Sequence, residues 1–329
     1  MLATFLKKNW FLFGIFAALG IGSLLPNFGT AINKGSIVST SLVVLLFFIS
    51  GLRLPSESIL SGLKDFKLHI YIQTFIFIFM PLFFFITAIP FRNTLDGSLV
   101  IGMYALACLP TTISSCIIFT QIAEGNVAAT MFNAALANTV GPLISPLLLS
   151  LLLRSTGKPL PLSILLNTLQ NLALKMLLPI VAGQIIRYFA KQRIDRAKRP
   201  LGVLCNIFIL FILFFAFAKT AREPEFFANL KLMPIPFLYL AVAHLVLLFA
   251  SYQGTRLLKV PKDGAISVLF TAPQKTLAMG VPLLTTFFSD SPEILGIALL
   301  PLLFYHPWQL LIAGLLPRFI EKIPEKRAN

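Results

Sequence analysis

The sequence predicts an all-α integral membrane protein, because apolar residues dominate it, charges are scarce and long apolar runs recur. Of its 329 residues, 57% are hydrophobic and 12% are charged, and the mean hydropathy is +0.88. A soluble domain carries about 25% charged residues. These charges are therefore too few to cover a surface that faces water, and we expect the lipid bilayer to be the main solvent of this chain.

Ten apolar runs are long enough to cross the hydrocarbon core, which needs about 20 mostly apolar residues. The predicted spans are 9–25, 37–53, 68–90, 98–121, 126–153, 162–189, 201–219, 232–256, 264–288 and 292–317. The first run follows Lys7 and Lys8, as in a signal peptide. No small-residue cleavage site ends it, however, so we interpret it as a membrane helix.

The net charge of +15 comes from basic residues that cluster between the apolar runs, most densely at Lys191–Arg199. This pattern follows the positive-inside rule. It predicts that both termini are cytoplasmic, in a bacterial inner membrane or a plasma membrane. No basic face or RNA-binding motif accompanies the charge, so we expect no nucleic-acid partner. Three cysteines without paired spacing predict neither a disulfide framework nor a zinc site.

Ten spans divide into two halves of five, about 1–153 and 162–318, within a single membrane domain that ends in a short cytoplasmic tail, 318–329. The connection 154–161 would join the halves. Because each half has an odd number of spans, the halves form inverted repeats, as in many transporters. Pro110 in the fourth span and Pro273 in the ninth each stand beside a polar run, which predicts two discontinuous helices at corresponding positions.

A helix broken inside a membrane needs packed partners or a water-filled cavity, whereas a simple proline kink needs neither. The polar residues near the two prolines favour a cavity and are the candidate site. The same groups could bind a substrate, ligate a small cation or join helices. The candidates are Thr111, Thr112, Ser114, Ser115, Thr130 and Asn133 of spans four and five, Gln73 of span three, and Gln274, Lys275 and Thr276 of span nine.

Lys275 is the most informative of these residues, because a lysine at the bilayer centre costs at least about 2.5–3.5 kcal/mol. No Asp or Glu lies in the middle of a predicted span. Lys275 must then be neutral, hydrated, held by carbonyls at the helix break or paired with an anionic substrate. Snorkelling to the interface is the alternative. For Lys175, in the sixth span, a structural or snorkelling role is favoured.

The chain resembles the bile acid:sodium symporter family, in particular the atypical branch of member seven of solute carrier family ten and its bacterial relatives. The likeness covers nearly the whole chain. It is carried by Gly51-Leu52-Arg53-Leu54, Leu109-Pro110 with Ser114-Ser115, Gly125-Asn126, Pro142, Pro146, and Gln274-Lys275-Thr276-Leu277-Ala278. The resemblance implies a panel domain, a core domain, crossing discontinuous helices four and nine, and alternating access around that crossing. Sodium would lie at Ser115, Thr130 and Gln274, with Gln73 near a second ion.

One departure weakens the sodium assignment. Gln274 stands in place of the carboxylate of the sodium-coupled members, and Lys275 follows it. We hypothesise that the lysine replaces at least one sodium ion, so the coupling ion could be sodium, a proton or none. The predicted function is a secondary transporter, a symporter-like carrier of a small amphipathic organic anion. A non-transporting regulator of ion or lipid-intermediate homeostasis is the alternative. The residues predict no enzyme and no cofactor, because no paired-Asp or His-Glu motif lies in a span.

Overall fold

The computed structural model describes residues 10–54, 65–91, 97–154, 170–171, 173–223 and 233–320, and every regular element among these residues is helical. Two five-residue π-helical turns occur, one inside α4 at Phe75–Phe79 and one directly before α8 at Ala173–Leu177. The helices in chain order are α1 Trp10–Leu24, α2 Pro26–Ile32, α3 Ile37–Arg53, α4 Phe66–Thr87, α5 Gly97–Cys108, α6 Ser114–Ile122, α7 Val127–Arg154, α8 Leu178–Thr220, α9 Pro234–Leu257, α10 Lys262–Thr271, α11 Leu277–Phe287, α12 Pro292–Leu315 and α13 Pro317–Ile320.

Six helical segments among the described residues are long and apolar enough to cross a membrane singly, which supports an integral membrane protein. A seventh arises if α1 and α2, which meet at a bend of 98°, count as one span. The ten-span count and the inverted repeats stay predictions. Lys7, Lys8, the start of predicted span 162–189 and most of the segments 154–161 and 318–329 lie outside the described residues.

The fourth and ninth predicted spans are interrupted at their prolines. α5 ends at Cys108 and α6 begins at Ser114, while α10 ends at Thr271 and α11 begins at Leu277. Proline lacks an N–H and disfavours a helical residue before it, which explains the position of both breaks. Both predicted interruptions are therefore present, and 98–121 and 264–288 each contain two short helices; that each pair forms one discontinuous span stays a prediction.

The sixth and seventh predicted spans require a correction. α8 runs through both of them, and only Ala190, with φ −118° and ψ 22°, departs from helical geometry. The basic cluster Lys191–Arg199 thus lies on a helix, not in a loop between spans. Lysine and arginine are good helix formers, so the helix continues beyond the apolar run. The kink at Ala190 separates the two apolar halves of α8.

The helices pack in two groups. α8 packs along α1, α2 and α3, which we name the panel group; α4 to α7 and α9 to α12 form the core group around the contact between α5 and α12. In the panel group, Gly51 of α3 and Gly183 of α8 let the two backbones touch. A Cβ atom on Gly51 would meet the carbonyl of Ile180, and one on Gly183 the carbonyl of Phe48. Such close approach through glycine is typical of packed membrane helices.

Candidate functional site

The two helix breaks meet inside the core group. The N–H of Thr276 donates to the carbonyl of Pro110 across 3.1 Å, so the backbone of one break pairs with the backbone of the other. The Thr276 side chain also caps α11 by accepting a hydrogen bond from the N–H of Ala278. Both α6 and α11 therefore begin at the point where the two breaks meet.

Lys275 holds the breaks together through its ammonium group. Its Nζ donates to the carbonyls of Leu109 at 2.6 Å, Ala107 at 2.8 Å and Ile76 at 3.2 Å. The first two lie at the C-terminus of α5, where helix carbonyls lack intrahelical partners and favour positive charge. Ile76 belongs to the π-helical turn of α4, a feature that is frequent at functional sites.

This geometry decides among the alternatives for Lys275. The residue is only 2% exposed, so it does not snorkel. Its three carbonyl partners match the three N–H donors of an ammonium, whereas a neutral amine has two donors and a lone pair that would face a carbonyl. Of the four possibilities that the sequence left open, the structure shows a lysine held by carbonyls at the helix break.

Two residues of α12 form hydrogen bonds to the backbone of the second break. Gln309 accepts from the N–H of Lys275 at 2.8 Å and donates to its carbonyl at 2.7 Å. Tyr305 donates to the carbonyl of Pro273 at 2.8 Å. On the first break, Asn138 donates to the carbonyl of Thr111 at 2.8 Å. Buried backbone in a membrane requires such partners.

Gln309 is a site residue that the sequence analysis missed. It is fully buried, and both of its amide atoms contact the backbone of Lys275. The one available signal was its position, a lone amide well inside the last apolar run, because polar groups inside a membrane are expensive and often functional. The sequence does not indicate which backbone groups Gln309 hydrogen-bonds to.

A cavity of about 440 Å³, open to solvent at its mouth, lies between the panel and core groups next to the breaks. We name it the basic cavity, because Arg53, Lys198 and Arg199 line it and none of the described residues in its wall is acidic. In the sequence, Lys198 and Arg199 belong to the basic cluster that indicates orientation, and Arg53 belongs to a motif of the family resemblance; none of the three was predicted as a site residue. The wall also includes Phe11, Phe47, Leu54, Ile113, Pro142, Ile180, Val203, Ile209, Leu277, Met279 and Leu310.

The sequence-predicted site residues divide into two sets. Thr112, Ser114, Ser115 and Thr276 line the basic cavity at the start of α6 and α11. The other six lie outside the cavity wall, five of them buried and Gln73 partly buried. These six are Thr111, Thr130, Asn133, Gln73, Gln274 and Lys275.

Comparison with known proteins identifies the family. The family model described as the SBF-like CPA transporter family matches residues 9–322. The chain belongs to the SBF-like CPA transporter family. It is 32% identical to sodium/bile acid cotransporter 7 of Rattus norvegicus over 322 residues, which cover 94% of this chain and 92% of that protein. The corresponding protein of Danio rerio is 28% identical over 316 residues, covering 94% and 93% of the two chains.

A bacterial relative, an uncharacterized protein of Pseudomonas aeruginosa, is 28% identical over 317 residues, 95% of this chain and 92% of the relative. Membership of a transporter family, together with the apolar helices, shows an integral membrane transporter that resembles the sodium/bile acid cotransporters. The two vertebrate relatives are named cotransporters rather than enzymes, which agrees at the level of the family with the prediction that the chain is not an enzyme.

The residues that the family resemblance assigned to sodium are not joined by hydrogen bonds here. Ser115 pairs with Thr112 at 2.5 Å, and Thr130 pairs with Thr120 at 3.0 Å. Gln274 is 2% exposed, and its Oε1 has no hydrogen-bond donor within the described residues.

Gln73 bonds to a different helix from the one that carries Lys275. Its amide donates to both oxygens of Asn133 in α7 at 3.1 Å, and Asn133 in turn contacts His69 at 2.8 Å. These contacts join α4 to α7. The Oε1 of Gln73 is buried without a donor among the described residues. Uncharged amide oxygens thus remain beside the site, while the positive charge belongs to Lys275.

Proposed function

We propose that this protein is a secondary transporter that carries an amphipathic organic anion by alternating access, with Lys275 in place of at least one sodium ion. One observation carries the proposal: an ammonium tied to three carbonyls where two broken helices meet, beside a cavity lined by three cations. The carbonyls at the C-terminus of α5 carry partial negative charge, and a cation bound by them neutralises that charge. Here the chain supplies that cation itself.

The basic cavity suits the head group of an organic anion. The N-termini of α6 and α11 open toward it at Ser114, Ser115 and Thr276, and helix N-termini attract negative charge. Arg53 adds a guanidinium whose Nε is buried and has no acceptor within the described residues. An anionic oxygen in the cavity would supply an acceptor for that donor.

The apolar part of the wall suits the body of the same ligand. Aromatic and aliphatic side chains such as Phe47, Ile180 and Leu277 alternate with the polar residues of the cavity. Ligand sites of this kind combine a mostly apolar wall with a few polar groups that fix orientation. We therefore infer an amphipathic substrate, with one anionic end and an apolar body.

Lys275 acts as a fixed charge rather than as a direct ligand of the substrate. It does not line the basic cavity, and all three of its N–H donors are used by carbonyls. We infer that transport does not require sodium at this position. The residual polar oxygens of Gln73 and Gln274 leave a proton or a single further ion as a possible coupling species.

The proposal includes the ten-span architecture. Each broken pair, α5 with α6 and α10 with α11, counts as one span, and the kink at Ala190 divides α8 into two. With the bent first pair and the five remaining long helices, this gives ten spans in two inverted halves. The basic ends then face the cytoplasm by the positive-inside rule, and so does the mouth of the basic cavity.

Transport assays in proteoliposomes test this proposal. A panel of radiolabelled organic anions, beginning with taurocholate and estrone sulfate, is measured in sodium and in choline buffers. We expect saturable uptake or exchange of at least one anion at equal rates in both buffers, and loss of it in Arg53→Ala and Lys275→Ala. Lys67→Ala, an exposed lysine, is the matched control. Uptake that needs sodium throughout, or no uptake of any organic anion by the folded protein, would overturn the proposal.

A further inference from the structure

A second polar cavity lies at the opposite ends of the helices that border the basic cavity. α3 lines the basic cavity with Ser50 and Arg53 near its C-terminus and this second cavity with Thr40 near its N-terminus. α11 likewise lines the basic cavity with Leu277 at its start and the second cavity with Thr285 near its end. α8 lines the basic cavity with its middle part, 198–209, and the second cavity with its C-terminal part, 212–219. We name the second cavity the opposite vestibule. It consists of an inner chamber of about 40 Å³ and an adjoining outer part of about 560 Å³.

The inner chamber contains two lysines and no carboxylate among the described residues that line it. The lysines are Lys175, in the π-helical turn before α8, and Lys219, in the last turn of α8. Hydroxyl and amide groups surround them. These polar neighbours are Asn33, Ser36, Ser39, Thr40, Thr285, Thr286 and Ser289.

The outer part carries a smaller excess of positive charge. Lys34 and Arg222 join the two lysines there, while Glu223 and Asp290 contribute the negative charges. The described part of the lining therefore has four cations and two carboxylates, and the excess cations are those of the inner chamber. Charge of one sign in a cavity with low-dielectric walls concentrates ligands of the opposite sign.

The backbone of Lys175 belongs to a regular turn, and its side chain points into the inner chamber. A π-helical turn, Ala173–Leu177, carries it, and such turns are frequent at functional sites. Its side chain is half-buried against the chamber and has no hydrogen-bond or ion-pair partner in the described part of the chain. A snorkelling lysine would instead extend into the water at the membrane surface. Lys175 faces a wall of hydroxyls.

Lys219 connects the two helix groups at this end. Its ammonium donates to the carbonyl of Ser289, just after α11, and the neighbouring Thr220 donates to the carbonyl of Pro292 at 3.0 Å. These contacts tie α8 of the panel group to the core group beside the vestibule. An anion that competes for the Lys219 ammonium would replace its carbonyl contact.

We propose that the opposite vestibule is a second anion-binding site, which takes a sulfonate or carboxylate between Lys175 and Lys219. Hydroxyls such as Thr40 and Ser36 would donate further hydrogen bonds to the bound oxygens. The ammonium groups supply the charge, and the ligand displaces only water and the carbonyl contact of Lys219. That this site is the other mouth of the transport path rests on the proposed function; that it binds anions does not.

Lysine-reactive probes test the site directly. 4-Sulfophenyl isothiocyanate and the neutral parent compound, phenyl isothiocyanate, are applied separately to the intact protein in nanodiscs. The lone pair of an unprotonated lysine amine attacks the isothiocyanate carbon, the amine proton moves to nitrogen, and a thiourea forms with no leaving group. Peptide mass spectrometry then gives the labelled fraction of Lys175 relative to the exposed Lys67.

If the vestibule binds anions, the sulfonated probe labels Lys175 at least about tenfold more than the neutral probe does, after both are normalised to Lys67, since tenfold corresponds to about 1.4 kcal/mol of binding preference. Unreactive benzenesulfonate should protect Lys175. Lys219→Gln should reduce the preference, and Lys259→Gln, at an exposed position, should not. Equal labelling by both probes, or no protection, would overturn the site.

The two proposals fail separately in these experiments. Selective, protectable labelling of Lys175 in a protein that transports no organic anion would uphold the binding site and reject its place on a transport path. Uptake of an organic anion without selective labelling would uphold the transporter and reject the second site. If both proposals hold, uptake by Lys175→Gln, measured from low to saturating anion concentrations, should show a raised KM with an unchanged maximal rate.

Discussion

Substituting Lys275 by methionine tests the idea that a side chain has replaced a bound cation. Methionine keeps most of the length and apolar volume of lysine but removes the ammonium. The carbonyls of Leu109 and Ala107, which receive hydrogen bonds of 2.6 and 2.8 Å, then lose their donor in a buried position. The bond of 3.2 Å to Ile76 is also lost, although it is the weakest of the three.

The expected loss follows from these two short bonds. Each buried acceptor left without a donor costs about 1–3 kcal/mol. Removal of the ammonium also removes its own desolvation penalty, which explains why some buried ions can be replaced by apolar residues without loss. Because the two carbonyls cannot be removed with the lysine, we expect a net loss of about 3 kcal/mol. At roughly 2–4 °C per kcal/mol, the Tm should fall by about 6–12 °C.

Thermal unfolding of the purified protein in sodium and in choline buffers measures both parts of the prediction. Sodium at one hundred times its dissociation constant would restore about 2.7 kcal/mol. We therefore expect sodium to raise the Tm of Lys275→Met and to leave that of the unsubstituted protein unchanged. Lys67→Met is the control, since this exposed residue should respond to neither change.

Two results would refute this reasoning. If the Tm of Lys275→Met stays within about 1 °C of that of the unsubstituted protein, the apolar replacement is as stable as the lysine, and the ammonium does not hold the breaks together. If the Tm falls but sodium and choline have the same effect on it, the lysine is structural but does not stand in the place of a cation.

Three other substitutions probe the packing and the helix break. Gln309→Ala should lower both the Tm and the uptake rate, because it removes two hydrogen bonds of 2.8 and 2.7 Å to the backbone of Lys275. Each bond is worth about 1 kcal/mol. An unchanged uptake rate and an unchanged Tm would contradict the positioning role of Gln309. Gly183→Val should abolish the yield of folded protein in size-exclusion chromatography. The control Gly20→Val should not, because a Cβ at Gly20 meets nothing within 4 Å. Equal yields would contradict the close contact between the backbones of α3 and α8. Thr276→Ala should destabilise the start of α11 by about 1 kcal/mol, measured as a lower Tm, and full recovery in Thr276→Ser would show that the capping hydroxyl is responsible.

Much of the architecture could be predicted from the sequence because it depends on local properties. Hydropathy indicated the membrane helices, and proline beside polar residues indicated both breaks. Pro110 and Pro273 act on their own backbone, so their effect does not depend on distant residues. The kink at Ala190 has no such local signal, since alanine is a good helix former. The segment 191–200, between the sixth and seventh predicted spans, is helical rather than the connection that its basic residues predicted.

The candidate site was predicted only in part, and the reason is physical. The cost of a charge in the membrane identified Lys275 as important without naming its partners, because those partners are backbone carbonyls, which every residue has. Gln309 and Arg53 were not assigned to the site, since their roles depend on α12 and α3 lying beside the breaks. Lys175 was interpreted as structural or snorkelling, and only the vestibule gives it a polar surrounding.

The sequence by itself thus determined the solvent of this protein, its helical class, the two breaks and the presence of an uncompensated lysine in the ninth span. These follow from transfer free energies and backbone constraints that act within one segment. Only the tertiary structure decided which groups bind the ammonium of Lys275, which polar residues face a cavity and which form hydrogen bonds to the backbone. Those outcomes depend on contacts between segments far apart in the chain, such as Lys275 with Ile76 and with Leu109.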